Sequence, residues 1–324
     1  MALRFWARAA AALLISCAVL SSITNASDTP KERTAPPADR AMPFEPTEHL
    51  IYEGEFTKLL LRGVKIAELR FEARRRSPVA PVAPVGPSEG GAQAAGVAET
   101  GQPAGYTLVS DIESKGFFSK LFGVTFRYHV ESTVEAGSFS VLRTEKVDEQ
   151  GQRLRTSEAV FDLADRRVEW TERDPKNTAA APRVVTAALE GPTQDIVSAV
   201  YFLRTRRLVP GERFEIAVSD SGRVYKVPAQ VFAEKKKMKS VVGRVSVVRI
   251  DVDIFGEGRP VEGKGKMSLW VTDDERRLPL KARLSHDLGQ LDITLKRVGR
   301  GALPAVAEAT DEEGEVTQAG VAGK

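Results

Sequence analysis

The sequence predicts a mainly β protein, an antiparallel meander that forms a curved sheet or a barrel and carries one short amphipathic helix. Many short segments alternate apolar and polar residues, which is typical of strands that have one buried face and one wet face. Turn signals such as Asp148-Glu149-Gln150-Gly151 separate these segments. A single segment has helical spacing instead.

The strand-like segments follow one another with hardly any helix between them. The first, HLIYEGEFTKLLL, places Leu50, Tyr52 and Phe56 on one phase of the alternation. Antiparallel neighbours joined by short turns are the simplest arrangement for such a series, and closing or curving the sheet leaves few exposed edges. The segments that follow are, in chain order, VKIAELRFEAR, YTLVSDIES, TFRYHVEST, SFSVLRTEKV, RLRTSEAVFDL, RRVEWTER, RFEIAVSD, RVYKVPAQVF, SVVGRVSVVRIDVDIF, GKMSLWVTD, LKARLSHDL and QLDITLKRV.

The helical segment is PTQDIVSAVYFLRTRRL, residues 192–208. Ile196, Val200 and Leu203 recur at i, i+4 and i+7, so they form the predicted apolar stripe. Asp195 stands near the start, where a carboxylate suits the helix dipole. A proline and a glycine follow the segment and end the helix.

One aromatic cluster interrupts the strand pattern. The segment GFFSKLFG carries Phe117, Phe118 and Phe122 between two glycines, which favours a one-turn helix or a wide connection over a strand. Phe126 and Tyr128 then alternate into the next strand, so we expect both in the core. Adjacent Phe117 and Phe118 cannot both point inward easily, which leaves one of them for a ligand or a partner.

Composition divides the chain into segments. Residues 1–26 read as a signal peptide, and the stretches on either side of the domain are rich in small, proline or charged residues that bury too little area to offset their ordering entropy. The predicted organisation is a signal peptide at 1–26, a flexible leader at 27–43, a single β-rich domain at 44–298 with a disordered Pro/Ala/Gly insertion at 77–105, and a disordered tail at 299–324.

The first residues predict export to the periplasm or the medium. Arg4 and Arg8 precede an apolar run from 9 to 19, and small residues then lead to Ala26. This is the order of regions in a secretory signal peptide, and the apolar run is short for a membrane span. Two outcomes stay open: cleavage after Ala26, or lipidation of Cys17, whose surroundings resemble a lipobox. We expect no transmembrane segment in the mature chain.

The charge balance speaks against a nucleic-acid partner. Removing residues 1–26 would delete two arginines and no acid, which lowers the net charge from +3 to +1. The densest basic run, Lys235-Lys236-Lys237-Met238-Lys239, is interpreted as a solvated hairpin turn, with a weak contact to anionic headgroups as the alternative. Cys17 is the single cysteine, so the mature chain has no thiolate for a metal or for catalysis.

Residues that could carry chemistry are few. His49, His129 and His286 stand in different strand-like segments without the spacing of a metal pair. Asp273 and Asp274 could act as paired carboxylates, but the pattern favours a turn in which an Asp side chain bonds its own backbone. We therefore expect no metal, no cofactor and no enzymatic activity, with a hydrolase as the least favoured interpretation.

Several fragments together resemble a known family. They are PFEPTEHLIYEGEF with GVKIAELRFEA, IESKGFFSKLFGVTFRYHVES, QDIVSAVYFLRTRRLVPGERFEI, SGRVYKVPAQV and GKMSLWVTDDERRLPLKARL, in order from about Pro43 to Val298. The chain is similar in these fragments to the exported bacterial family of the domain of unknown function 3108. The resemblance implies an exported β-rich domain and no established catalytic residue.

Two functions remain open. The first is a periplasmic or cell-envelope domain that holds a lipid or another hydrophobic ligand in a cavity beside the helix. The alternative is an envelope assembly or interaction module that binds an envelope protein and no small ligand. The contact candidates for a ligand or a partner are Phe117, Phe118, Phe122, Tyr201 and Phe202.

Overall fold

The computed structural model describes residues 42–58, 61–77, 104–115 and 125–301, and the fold is stated for these residues. They form one sheet of fifteen strands and one α-helix. The strands are β1 (Glu48–Lys58), β2 (Leu61–Arg76), β3 (Gly105–Ser114), β4 (Phe126–Glu135), β5 (Val141–Gln150), β6 (Arg153–Asp162), β7 (Arg167–Arg173), β8 (Arg183–Ala188), β9 (Thr193–Gln194), β10 (Arg213–Asp220), β11 (Arg223–Ser240), β12 (Gly243–Val252), β13 (Gly265–Thr272), β14 (Pro279–His286) and β15 (Gly289–Arg300), and the helix is α1 (Ile196–Thr205).

The sheet is a meander that curls without closing, and the predicted fold class is confirmed. The strand order is β8-β7-β6-β5-β4-β3-β2-β1-β15-β14-β13-β12-β11-β10-β9. The first and last strands pair with each other in the middle of this order, from Glu48 opposite Arg300 to Thr57 opposite Gln290. The break in hydrogen bonding therefore falls between β8 and β9, in the middle of the chain.

The inner face of the curled sheet changes character from strand to strand. One cross-strand row runs from Leu50 through Phe71, Ser110 and Val130 to Lys146. Alternate residues of each strand point inward, as the period-two pattern requires. This row thus begins with apolar residues on β1 and β2 and ends with Lys146 on β5, whereas Ala159 and Phe161 on β6 are again part of the hydrophobic core.

Phe126 and Tyr128 are buried on β4, as the sequence predicted. Their rings lie 5.8 Å apart between centroids. Both belong to the main hydrophobic core, because they alternate inward with Val130 and Val134.

Helix α1 begins with a capping box. The Asp195 carboxylate accepts the Ser198 backbone N–H at 2.7 Å, and the Ser198 hydroxyl accepts the Asp195 N–H at 2.9 Å. The helix is turned about its axis relative to the predicted stripe, since Val197, Tyr201 and Arg204 are its most deeply buried long side chains. Arg204 is not part of the predicted stripe, and its guanidinium lies inside the protein.

The seam between β8 and β10 is closed by side chains rather than by strand pairing. A Cβ atom at Gly222, in the β10–β11 turn, would lie 2.6 Å from the Val185 Cβ on β8. The Lys226 ammonium and the Glu190 carboxylate lie 2.5 Å apart across the seam. The short strand β9 pairs in parallel with β10 and fills part of the gap.

The basic run Lys235–Lys239 is not a turn, which corrects the prediction. It lies on β11, and the turn that joins β11 to β12 is Val241-Val242. Alternation is hidden in this run because four of its five side chains are cations, so the period-two signal fails. By contrast, Asp273 and Asp274 do lie in the β13–β14 turn, where the Asp274 carboxylate accepts the Arg276 backbone N–H at 3.1 Å.

Several predicted segments lie outside the described residues. These are the signal peptide at 1–26, most of the leader at 27–43, residues 78–103 of the insertion, the aromatic segment at 116–124 and residues 302–324 of the tail. Strand β15 extends to Arg300, slightly beyond the predicted end of the domain. In the part of the chain that is described, no helix has the length and apolarity needed to cross a bilayer.

From the packing at the seam, we expect substitution by alanine to lower the free energy of unfolding more at Gly222 than at Gly211. Gly222 and Gly211 both have positive φ, +77° and +85°, but nothing lies within 4 Å of a Cβ placed at Gly211. An alanine at either position should cost about 1–2 kcal/mol for the left-handed backbone. Gly222→Ala should lose at least about 1 kcal/mol more, because the new methyl group collides with Val185.

Urea unfolding followed by tryptophan fluorescence would measure both variants. Equal losses of unfolding free energy for the two variants would show that the β10–β11 turn does not pack closely against β8.

Candidate functional site

The two predicted contact residues that the structure describes, Tyr201 and Phe202, lie at one end of the sheet. We call it the helix-capped end and define it by α1, residues 43–48 and the β13–β14 turn at 273–278. Strand β1 begins here and β15 ends here. The end is therefore the meeting point of three parts of the chain that are far apart in sequence.

A buried ion pair holds these parts together. The Arg204 Nη1 atom donates to Glu48 Oε1 at 2.5 Å, and Nη2 donates to Glu48 Oε2 at 3.2 Å. Both side chains are almost fully buried. Arg276 adds a second cation 3.2 Å from Glu48 Oε2, so the carboxylate is shared by two guanidinium groups. Such fork-like pairs fix geometry as well as charge.

The Arg204 guanidinium also binds backbone oxygens from two other segments. Its Nε atom donates to the Arg276 carbonyl at 3.1 Å, and Nη2 donates to the Pro43 carbonyl at 3.0 Å. The Arg277 guanidinium returns a bond to the Arg204 carbonyl at 3.1 Å. All three guanidinium nitrogen atoms of Arg204 thus have acceptors, which a buried arginine requires.

Aromatic rings enclose this ion pair. Phe44 packs edge-to-face on Tyr201 with ring centroids 5.1 Å apart, and on Tyr106 at 5.3 Å. The Arg204 guanidinium lies 5.4 Å from the Phe44 ring centroid and 5.7 Å from that of Tyr201. These contacts fill the inside of the sheet at this end, so α1 acts as a plug.

Tyr201 is only 1% exposed, and burial raises the pKa of its hydroxyl above the usual range. Its hydroxyl has no hydrogen-bond partner among the described residues. Phe202 is half-buried and packs against the core. Of the five predicted contact residues, Phe117, Phe118 and Phe122 lie outside the described residues.

Sequence reasoning missed Glu48 and Arg204, which organise this end. A weak signal was present, because Val197, Tyr201 and Arg204 also follow helical spacing. An arginine at the last position of such a stripe is usually assigned to solvent. Nothing in the local sequence marks Glu48 as its partner.

A small slot lined by both apolar and polar side chains lies where the two edges of the sheet approach each other. It encloses about 40 Å³ between the N-terminus of α1 and the inner face of β4–β7. The Thr144 hydroxyl donates to the Asp195 carboxylate at 2.6 Å, and Lys146 lies 3.8 Å from Asp220. A volume of this size holds a few water molecules, since one needs about 10–15 Å³.

Larger depressions lie on the outer face. One of about 590 Å³ crosses β10–β13, and the side chains along it that alternate with the core residues are mostly polar, among them Glu215, Asp251 and Lys266. Another of about 370 Å³ crosses β4–β7 beside His129 and Glu158. Both are open to solvent and rimmed by charge.

His129 is paired with an acidic residue. Its Nδ1 lies 2.8 Å from the Asp111 carboxylate, and this hydrogen bond raises the pKa of His129. His49 and His286 lie on β1 and β14, and within the described ranges no three potential ligands converge to hold a metal ion.

The buried ion pair should dominate the stability of this end. Arg204→Met leaves Glu48 buried with only Arg276, so the free energy of unfolding should fall by about 3–5 kcal/mol. Arg283→Met is the control, because its pair with Asp292, at 2.7 Å, is partly exposed and should cost about 1 kcal/mol or less. Urea unfolding measures both, and equal losses would contradict the role assigned to Arg204.

Removing the Tyr201 hydroxyl, which has no hydrogen-bond partner among the described residues, should not lower the stability of the protein. Tyr201→Phe keeps the ring contacts and should leave the free energy of unfolding unchanged or slightly higher. Tyr52→Phe is the matched control, because the Tyr52 hydroxyl donates to the Pro279 carbonyl at 2.9 Å and its loss should cost about 0.5–1.5 kcal/mol. A larger loss for Tyr201→Phe than for Tyr52→Phe would reveal a bound partner at the Tyr201 hydroxyl.

Comparison with solved structures gives the same architecture. The crystal structure of a β-barrel-like protein of the domain of unknown function DUF1849 from Brucella abortus matches with a TM-score of 0.50 and 11% identity. The alignment covers 79% of this chain and 98% of that one. At this identity the likeness concerns the fold alone.

Among curated proteins, none matches this chain. A family model described as "Protein of unknown function (DUF3108)" matches residues 90–296. This match spans more than half of the chain and confirms the resemblance seen in the sequence fragments. The protein belongs to the DUF3108 family.

Proposed function

We propose that the protein is an exported, non-enzymatic domain of the bacterial cell envelope that acts through its surface as an interaction or assembly module. The observation that carries this proposal is the packing inside the curled sheet. Where the chain is described, the slot at the seam encloses about 40 Å³. Pockets that bury a small-molecule ligand are usually about 300–1,000 Å³.

The interior supports this choice over a lipid carrier. At the helix-capped end, Phe44, Tyr201 and the Arg204–Glu48 pair occupy the space that a ligand would need. The roomier depressions lie on the outer face, where Asp251 and Lys266 are among the charged residues along them. A lipid chain placed there would desolvate charged groups without pairing them, which is costly.

The positions of Asp273 and Asp274 support a non-enzymatic role. Asp274 accepts from the Thr272 hydroxyl at 2.5 Å and from the backbone of its own turn. Asp273 pairs with Lys235 at 2.6 Å on the surface. These carboxylates hold a turn and a surface ion pair.

Export rests on the composition of residues 1–26, whose regions follow the order of a secretory signal peptide. An envelope location places the domain among lipids and other envelope proteins. A surface-acting module of this kind needs a rigid body and exposed contact elements, and the packed sheet with its ion-paired helix would supply that body.

Native mass spectrometry tests the proposal directly. The protein would be produced with its own leader and isolated from the periplasm, and we expect the bare polypeptide that begins at Ser27. A mass that includes an acylated Cys17 would instead establish the lipoprotein form. A hydrophobic adduct at full occupancy would contradict the proposal and restore the lipid-binding alternative.

A second measurement guards against ligand loss in the spectrometer. The isolated protein would be unfolded in guanidinium, stripped of small molecules and refolded. We expect the same melting temperature before and after this treatment. A lower value that a lipid extract restores would identify a ligand as part of the fold.

A further inference from the structure

Among the described residues, exposed cations concentrate on a two-stranded segment that we call the basic arm, residues 235–248. It consists of the second half of β11 and the first half of β12, joined by the turn Val241-Val242. Strand β10 pairs with β11 only as far as Gln230, and β13 pairs with β12 only from Val247 onward. From Lys237 to Val245, the two strands pair only with each other.

The basic arm carries five cations and no acidic residue. Lys235, Lys236, Lys237, Lys239 and Arg244 are all exposed. Of these, Lys235 pairs with Asp273 at the base of the arm. No acidic side chain within the described residues pairs with the other four.

The arrangement of these cations is unfavourable for the isolated protein. Lys239 lies directly opposite Arg244 in the register, and like charges in such a cross-strand pair repel each other. Lys235 and Lys237 alternate onto the same face as this pair. Positive charge is therefore concentrated where folding alone does not require it.

The turn at the tip of the arm is apolar. The Ser240 hydroxyl accepts the Val242 backbone N–H at 3.3 Å, and Gly243 adopts a φ of +97° that completes the turn. Val241 is 49% exposed at the very tip. Solvent-facing turns usually place Asn, Asp, Gly or Ser at such positions, so an exposed valine suits a partly apolar environment.

The base of the arm is held firmly. Besides the Lys235–Asp273 pair, the Asp273 backbone N–H donates to the Ser246 carbonyl at 2.9 Å. The same turn binds Arg204 through the Arg276 carbonyl. The base of the arm is thus fixed to the helix-capped end, and the half-buried Met238, Val242 and Val245 pack against the core, which holds the exposed cations in place.

We propose that the basic arm docks the protein on an anionic phospholipid surface. Its lysines and Arg244 lie over lipid phosphates, and Val241 enters the headgroup region. Cationic and apolar side chains take these same positions in other membrane segments that bind at the interface. The absence of aromatic side chains from residues 235–248 disfavours a single-stranded nucleic acid, whose bases stack on aromatic rings. This inference rests on the proposed envelope location, which brings the arm within reach of a membrane.

Sedimentation with lipid vesicles tests the proposal. Purified mature protein should bind vesicles of phosphatidylcholine mixed with phosphatidylglycerol and not vesicles of phosphatidylcholine alone, and added salt should weaken the binding. The triple variant Lys236→Gln, Lys237→Gln, Lys239→Gln should lose affinity on the order of a hundredfold, at roughly fivefold for each cation.

Matched controls separate the arm from net charge. The triple variant Lys176→Gln, Lys264→Gln, Lys266→Gln removes the same charge outside the arm and should bind like the parent. Val241→Ser should weaken binding, whereas Val160→Ser, at a site 48% exposed on β6, should not. Thermal melting would establish that each variant is folded.

Three results would overturn the proposal: equal binding by the two triple variants, binding that ignores phosphatidylglycerol, or tight binding to a single-stranded oligonucleotide with none to the vesicles. The vesicle assay uses purified protein, so its outcome is independent of export. Cell fractionation tests export separately, and a cytoplasmic protein would refute the envelope function while leaving the vesicle result unaffected.

Discussion

A guanidinium that is removed from water must find acceptors for its N–H groups, and Arg204 finds them on three separate parts of the chain. Glu48 supplies a carboxylate from the first strand, and carbonyls come from Pro43 and Arg276. The helix therefore has one position in which Arg204 is satisfied. That position places Tyr201 under Phe44 and fills one end of the sheet. It also anchors the turn that carries the base of the basic arm.

The pairing of the first strand with the last decides where the sheet opens. Because β1 and β15 lie side by side, the ends of the described domain meet inside the sheet, and the break falls between β8 and β9. At that break, side-chain contacts such as Thr144 with Asp195 replace backbone pairing. The seam therefore closes around a small slot, and the hydrophobic core extends from β1 and β15 to both sides of this seam, where Trp170 and Val218 belong to it.

Because the interior is packed, the surfaces that could contact a partner lie on the outside of the molecule. The Brucella abortus protein shows that a similar curled sheet recurs at 11% identity, so this body tolerates wide change in sequence. A rigid body of this kind keeps exposed elements in fixed positions. The basic arm and the charged outer depressions are such elements, and the ordering cost of a partner's contact is lower when one side is already rigid.

The sequence by itself determined thirteen of the fifteen described strands, the meander, helix α1 and the family, because period-two alternation and local turn chemistry are properties of neighbouring residues. Phe126 and Tyr128 were placed in the core on that basis alone. The prediction missed β8 and β9, the two strands that border the seam. The prediction of a turn at residues 235–239 was wrong, because cations on both faces of β11 hide the alternation. Only the tertiary structure decided the buried face of α1, since the partner of Arg204 is 156 positions away. The position of the seam was decided in the same way, because the pairing of β1 with β15 joins distant segments that no local pattern links.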